Sequence, residues 1–185
     1  ENMPFKFSRF DLSGLILIEP QIFTDERGRF LELFKKSDFV AAGITEDFIQ
    51  DNFSVSKKGV LRGLHYQTPP HTQGKLVHCL KGAVLDLAVD IRKDSPTFGK
   101  WISMILSEEN YRIFYIPPGF AHGFYVLEDN SVILYKTTQE YSPRADKGLA
   151  WNDPDLNIDW QLEGEPILSD KDKIHPKLKE IEGIE

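Results

Sequence analysis

Cysteine is almost missing from this chain. Cys79 is the only one in 185 residues, so no disulfide can form within the chain, and a reducing compartment is expected. Cys79 lies in the apolar-flanked run Lys75-Leu76-Val77-His78-Cys79-Leu80, which suits a packed side chain better than a nucleophile. Long apolar runs are missing too: none approaches the ~18 residues that a bilayer span requires. Positive charge is scarce. The 22 Lys and Arg against 29 Asp and Glu leave a net charge of −7, which argues against the broad basic footprint of a nucleic-acid-binding surface. A small anionic ligand is still compatible with that balance if cations gather in one cleft. Glu1 to Phe10 lacks the charged-then-apolar pattern of a secretory signal. The expectation is a cytoplasmic protein with no nucleic-acid or membrane partner, folded as a single domain over residues 1–185.

What is present is strand-like. Leu15–Ile18, Phe30–Phe34, Leu76–Leu80, Ala83–Ile91, Trp101–Leu106, Arg112–Ile116, Gly123–Leu127 and Ser131–Thr137 are short apolar or alternating runs. Turn residues separate them at roughly 10 to 15 positions, the spacing of an antiparallel sandwich or barrel. Within Ala83–Ile91, the residues Leu85, Leu87, Val89 and Ile91 share one face, and Asp86, Ala88 and Asp90 share the other. Helical periodicity is weak. Ser37–Ala42 reads as a short helix with Ser37 as cap and Gly43 as terminator. Ser169–Ile181 reads as a short C-terminal helix. No internal repeat or low-complexity segment interrupts the chain.

The stretch Gly59-Val60-Leu61-Arg62-Gly63-Leu64-His65-Tyr66-Gln67 carries the strongest chemical signal. It sets a permanent cation beside a group that titrates near neutrality, which suits holding an anion and moving a proton. In an ideal strand Arg62 and His65 point to opposite faces; a kink at Gly63 would bring both toward one cavity. A second cluster, Ile116-Pro117-Pro118-Gly119-Phe120-Ala121-His122-Gly123-Phe124, sets another histidine beside glycine and aromatics. For His65 and His122 two readings stand, a ligand-facing group in a sandwich mouth or a hydrogen-bonded core histidine. His71 looks like an exposed loop residue, and His78 and His175 have no distinguishing context. The segment His65-Tyr66-Gln67 lacks the second histidine that metal sites on small barrels commonly use, so no metal is expected. Arg27 and Arg29 around Gly28, and Lys75 after Gly74, are either solvated charges or phosphate contacts. Tyr135 is either half-buried packing or a general acid.

Together these motifs resemble the dTDP-4-dehydrorhamnose 3,5-epimerase family. The matching segments are Asp25-Glu26-Arg27-Gly28, Gln50-Asp51-Asn52, the Arg62–His65 stretch, Gln73-Gly74-Lys75, Asp86 to Arg92, Ser95 to Gly99, the His122 cluster, Tyr135-Lys136, Trp151-Asn152-Asp153 and Leu168 to Asp172. They run in the family's order over nearly the whole chain. The resemblance implies an all-β, cupin-type jelly-roll barrel with short peripheral helices. It also implies a homodimer whose N-terminal strands pair across the subunit boundary, and neither a metal nor an organic cofactor. The implied substrate is a small molecule, the dTDP-sugar dTDP-4-dehydro-6-deoxy-D-glucose, inverted at carbons 3 and 5.

Both carbons flank the carbon-4 ketone, so one base can start both inversions. His65 is the candidate base and Lys75 the candidate stabiliser of the enolate oxygen. The resemblance implies Asp172 as the orienting carboxylate of His65 and Tyr135 as the acid on the opposite face. It implies Arg27 and Arg62 on the diphosphate, and Phe23, Glu32, Gln50 and Asn52 around thymidine and sugar. It also implies His122 near the sugar, with Asp146 and Lys171 completing the substrate contacts; Asp146 stands where the family carries glutamate. The alternatives are an epimerase acting at carbon 3 alone, a 3,4-ketoisomerase on the same barrel, and a non-catalytic cupin that only binds a sugar nucleotide.

Overall fold

The computed structural model describes residues 4–185, and its regular secondary structure is almost entirely antiparallel strand. One sheet has six strands in the order β1 (Phe5–Arg9), β2 (Ile16–Pro20), β10 (Ile113–Ile116), β7 (Lys75–Lys81), β12 (Ser131–Thr137) and β5 (Gln50–Ser56). A second sheet has five, in the order β13 (Asp146–Gly148), β6 (Leu61–Gln67), β11 (Phe120–Val126), β8 (Ala83–Asp90) and β9 (Trp101–Ser107). A small hairpin of β3 (Phe23–Asp25) and β4 (Gly28–Phe30) belongs to neither. This is the antiparallel all-β sandwich that the strand spacing implied and the jelly roll that the family resemblance implied.

Three apolar layers hold the sheets. Val77, Phe114, Ile116 and Ile133 of the six-stranded sheet meet Val84, Ala88, Phe124 and Val126 of the other in the central layer. A second layer covers the outer face of the five-stranded sheet, where Leu85, Leu87, Val89 and Ile91 pack under Leu156, Trp160 and Ile184. β8 is therefore buried on both faces. Its sequence still alternates because the inward face carries two acids, Asp86 and Asp90, both 0% exposed. Asp90 is satisfied by Arg92, Ser95 and Thr97. A third layer lies on the outer side of the six-stranded sheet, where Phe39 and Ile44 cover Phe5, Ile16, Ile18 and Tyr115. Burying a side chain such as Phe39 contributes about 1.5–3 kcal/mol.

The helix near residue 40 exists as α1 (Lys36–Ala41), one position earlier than the sequence implied. Lys35, not Ser37, is its N-cap, and no side chain caps it. Gly43 does end it: Ile44 N–H donates to the Phe39 carbonyl and Gly43 N–H to that of Val40, a Schellman closure with φ +92° at Gly43. The expected strand Phe30–Phe34 is not formed beyond Phe30. The hairpin has no further pairing partner there, and Leu33 and Phe34 pack on the Phe39 layer instead. The expected helix Ser169–Ile181 reduces to a single 3₁₀ turn at Leu178–Glu180. Pro176 forbids it, because a proline ring clashes with the carbonyl four residues back and supplies no amide hydrogen. Among the described residues no helix is long and apolar enough to cross a membrane.

Candidate active site

The site begins with an irregular strand pairing. In the ladder of β6 with β11, His65 faces His122 and Arg62 faces Phe124. Three steps on β6 thus match two on β11, a β-bulge that inserts one residue. The extra residue reverses the alternation, so Arg62 and His65 both line one cavity. Two glycines make this possible. A Cβ on Gly63 would lie 2.7 Å from Gly123 Cα, and one on Gly123 would lie 2.7 Å from the Arg62 carbonyl oxygen. Gly63 also has φ +130°, a conformation that side chains disfavour.

The cavity, about 570 Å³, opens between the two sheets, a size that accommodates a drug-sized or nucleotide-sized ligand. His65 on β6 comes from the five-stranded sheet, and Tyr135 on β12 from the six-stranded one. Asp172, 4% exposed, reaches His65 from the loop after Ser169, with 2.6 Å between His65 Nε2 and Asp172 Oδ1. The Gly63 amide donates to the other carboxylate oxygen at 3.2 Å. Burial pushes the Asp172 carboxyl up, but the hydrogen bond and charge of His65, with His175 and the Gly63 amide, hold it at about 2. The carboxylate is therefore ionised and accepts, so His65 Nε2 carries the proton and Nδ1 keeps the free lone pair.

Lys75 is 7% exposed and lines the cavity. Burial lowers its pKa to about 8, against the upward pull of Asp86 and Asp146. Its Nζ lies 5.8 Å from the Tyr135 ring centre. Burial raises the Tyr135 phenol, Arg62 pulls it down and Asp146 pushes it up, so it is a neutral donor at pH 7. His122 Nε2 is 2.8 Å from Asp86 Oδ1. Burial lowers the His122 pKa, opposed by Asp86, while Lys75 and His65 push it further down.

Asn52 and Lys171 also line the cavity. Gln50 and Asp146 stand one contact behind it: Gln50 donates to Asn52, and Asp146 is ion-paired with Lys171. Arg62 is at the exposed edge, its Nε donating to Ser56 Oγ at 3.2 Å. Three expected residues do not join within one chain. Phe23 and Arg27 lie on the exposed β3–β4 hairpin around a separate hollow, and Arg27 is paired with Asp25 at 2.6 Å. Glu32 follows that hairpin and lines neither hollow. The cause is the hairpin itself, which projects from the body with every residue exposed.

Two participants escaped the sequence. His175 donates to Asp172 Oδ1 at 3.0 Å; the expected helix concealed it, and Pro176 beside it was the signal. Asp86 supports His122, and an acid on the inward face of an alternating core strand was itself a sign of a partner.

Fold and site together define a cupin-type jelly roll whose cavity is lined by a histidine–carboxylate pair from one sheet and a phenol from the other. The sequence profile of the dTDP-4-dehydrorhamnose 3,5-epimerase family matches residues 9–180, and the chain belongs to that family. It is 52% identical over 163 residues to the dTDP-4-dehydrorhamnose 3,5-epimerase of Shigella flexneri, covering 88% of this chain and 90% of that one. Against the enzyme of that name from Methanothermobacter thermautotrophicus it is 48% identical over 178 residues, covering 95% and 96%. A solved structure of dTDP-6-deoxy-D-glucose-3,5-epimerase from Legionella pneumophila, in complex with dTDP-4-keto-L-rhamnose, superposes with a TM-score of 0.93. It shares 50% identity and covers 96% of this chain and 94% of that chain.

Proposed function

We propose that this chain converts dTDP-4-dehydro-6-deoxy-D-glucose to dTDP-4-dehydro-L-rhamnose by inversion at carbons 3 and 5. The observation that carries this reading is the position of His65 and Tyr135 on facing sheets of one cavity. Inversion needs removal of a proton from one face and delivery to the other, and a base and an acid on the same wall would return the proton to where it began. His65 Nδ1 takes the proton from a carbon beside the ketone. The C–H electrons form the enolate, and the Lys75 ammonium stabilises its oxygen. The Tyr135 phenol protonates the opposite face, leaving phenolate and imidazolium. Water then takes a proton from the imidazolium and returns one to the phenolate, and both groups are reset. Arg62 and Lys171 at the cavity edge suit the diphosphate.

The test is turnover in heavy water, with deuterium at carbons 3 and 5 read by NMR. Label at both carbons is expected. Label at carbon 3 alone would make the chain a 3-epimerase, and none at either carbon with the nucleotide bound would sink the epimerase reading. His65→Ala is expected to abolish exchange and leave dTDP binding within about threefold.

The same reading includes a homodimer. The β3–β4 hairpin carries Phe23 and Arg27 away from its own cavity, with Phe23 49% exposed and Phe30 66% exposed. A second copy that received this hairpin at the mouth of its cavity would gain an aromatic and a guanidinium for the nucleotide. Edge strand β5, with Phe53 64% and Val55 53% exposed, supplies an apolar surface for such pairing. A cytoplasmic location fits the lone Cys79, whose thiol burial pushes up to about 12.

A further inference from the structure

We propose that His175 is a positioning residue for the base: it shares the Asp172 carboxylate with His65 and so weakens that carboxylate's hold on the His65 proton. The inference rests on the proton-transfer reading of the cavity.

The geometry is specific. His65 Nε2 lies 2.6 Å and His175 Nε2 3.0 Å from the same oxygen, Asp172 Oδ1. The two rings stand edge to face, 5.6 Å apart at 84°. The His175 side chain is 7% exposed, against 37% for His65, so it is held in the wall and does not face the cavity. Its seat depends on Gly148, where a Cβ would fall 2.1 Å from the ring. Gly148 pairs with His65 in the β13–β6 ladder, so one short strand carries both the seat of the second imidazole and the partner of the first.

Asp172 is ionised, so both ring nitrogens that face it are donors. Each donated hydrogen bond draws charge from the carboxylate. That charge is what favours the imidazolium form of His65. With Oδ1 shared and Oδ2 taken by the Gly63 amide, the pull on the His65 proton is weaker than a lone carboxylate would exert. The base is then available for proton abstraction at lower pH. The other charged or titratable groups around the pair are Lys171 on the same loop, His122 on β11, and Arg62, Lys75 and Tyr135, which line the same cavity; Gly148 brings none. These stay constant when His175 alone is changed.

Methionine and glutamine have nearly the same length and shape, and only glutamine keeps an N–H donor. The experiment therefore compares His175→Met with His175→Gln. Two readouts are taken: the acid limb of kcat/KM against pH, and the pH titration of the His65 ring resonances by NMR without substrate. In the Met variant both are expected to move up by about half a pH unit, a roughly threefold gain in proton affinity. In the Gln variant both are expected to stay near the wild-type position. No movement in the Met variant, movement downward, or equal movement in both variants would overturn the proposal. The ring titration needs no turnover. A shifted titration with no epimerisation in any form of the protein would therefore count against the function and leave this inference standing.

Discussion

Lys75 shows what a reactive site asks of a single residue. Burial brings its pKa from 10.5 down to about 8, despite Asp86 and Asp146. The folded state therefore carries an unfavourable charge at pH 7. The burden is fully present below about pH 8 and is relieved as pH rises from about 8 toward the free-lysine value, since there the unfolded chain binds more protons than the folded one. Lys75→Met removes it. The variant is expected to gain on the order of 1–3 kcal/mol in urea unfolding at pH 7, and to lose about 10²–10³-fold in kcat. A destabilised Met variant would show that the ammonium is held by attraction instead. The wild-type kcat/KM is expected to fall as pH rises through about 8, as the ammonium is lost. Residues of this kind were legible in the sequence where a glycine-rich motif framed them, as with Arg62, His65 and His122. His175 was not, because three positions from Asp172 reads equally well as a helical turn.

At the level of elements, the β6 bulge decides whether there is a site at all. Without the inserted residue, His65 and Arg62 would point to opposite faces. Gly123→Ala places a methyl against backbone on the bulged strand. It is expected to destabilise the protein by about 1–3 kcal/mol and to reduce kcat well beyond the fraction unfolded, read by activity measured alongside circular dichroism. A variant with normal stability and normal kcat would mean that the two strands can separate without moving His65. Short apolar runs announced β7 and β9; alternation announced β12, and β8 as well because two acids interrupt its inward face. β1 and β5 went unread. On β5 the apolar residues Phe53 and Val55 are exposed while Asn52 and Ser54 are half-buried, the inverse of the pattern that marks a core strand. In the C-terminal segment a capping-type start at Ser169 and the register of Leu178 with Ile181 suit a helix, but Pro176 interrupts it.

The whole molecule raises the question of where the expected nucleotide contacts went. Phe23 and Arg27 are outside the cavity of their own chain, and the resemblance in sequence had no means of telling one subunit from another. If the hairpin serves the partner, Arg27→Ala and His65→Ala lie in different halves of each composite site. Each variant alone is expected to be impaired. An equal mixture allowed to exchange subunits is expected to recover about a quarter of wild-type kcat/KM, because half of the dimers are mixed and each has one intact site. Mixtures no better than the average of the two variants would return the hairpin to its own subunit or to no catalytic role.

His65 and Tyr135 sit on different sheets, and Tyr135 rests on the apolar layer between them. The thickness of that layer is therefore a caliper for the chemistry. Phe114 and Ile133, which lie in that layer and outside the cavity lining, help set the gap across which a sugar ring must be approached from both sides at once. A side chain shortened there alters a reaction distance as well as a melting point, so selection on catalysis acts directly on residues that no substrate touches.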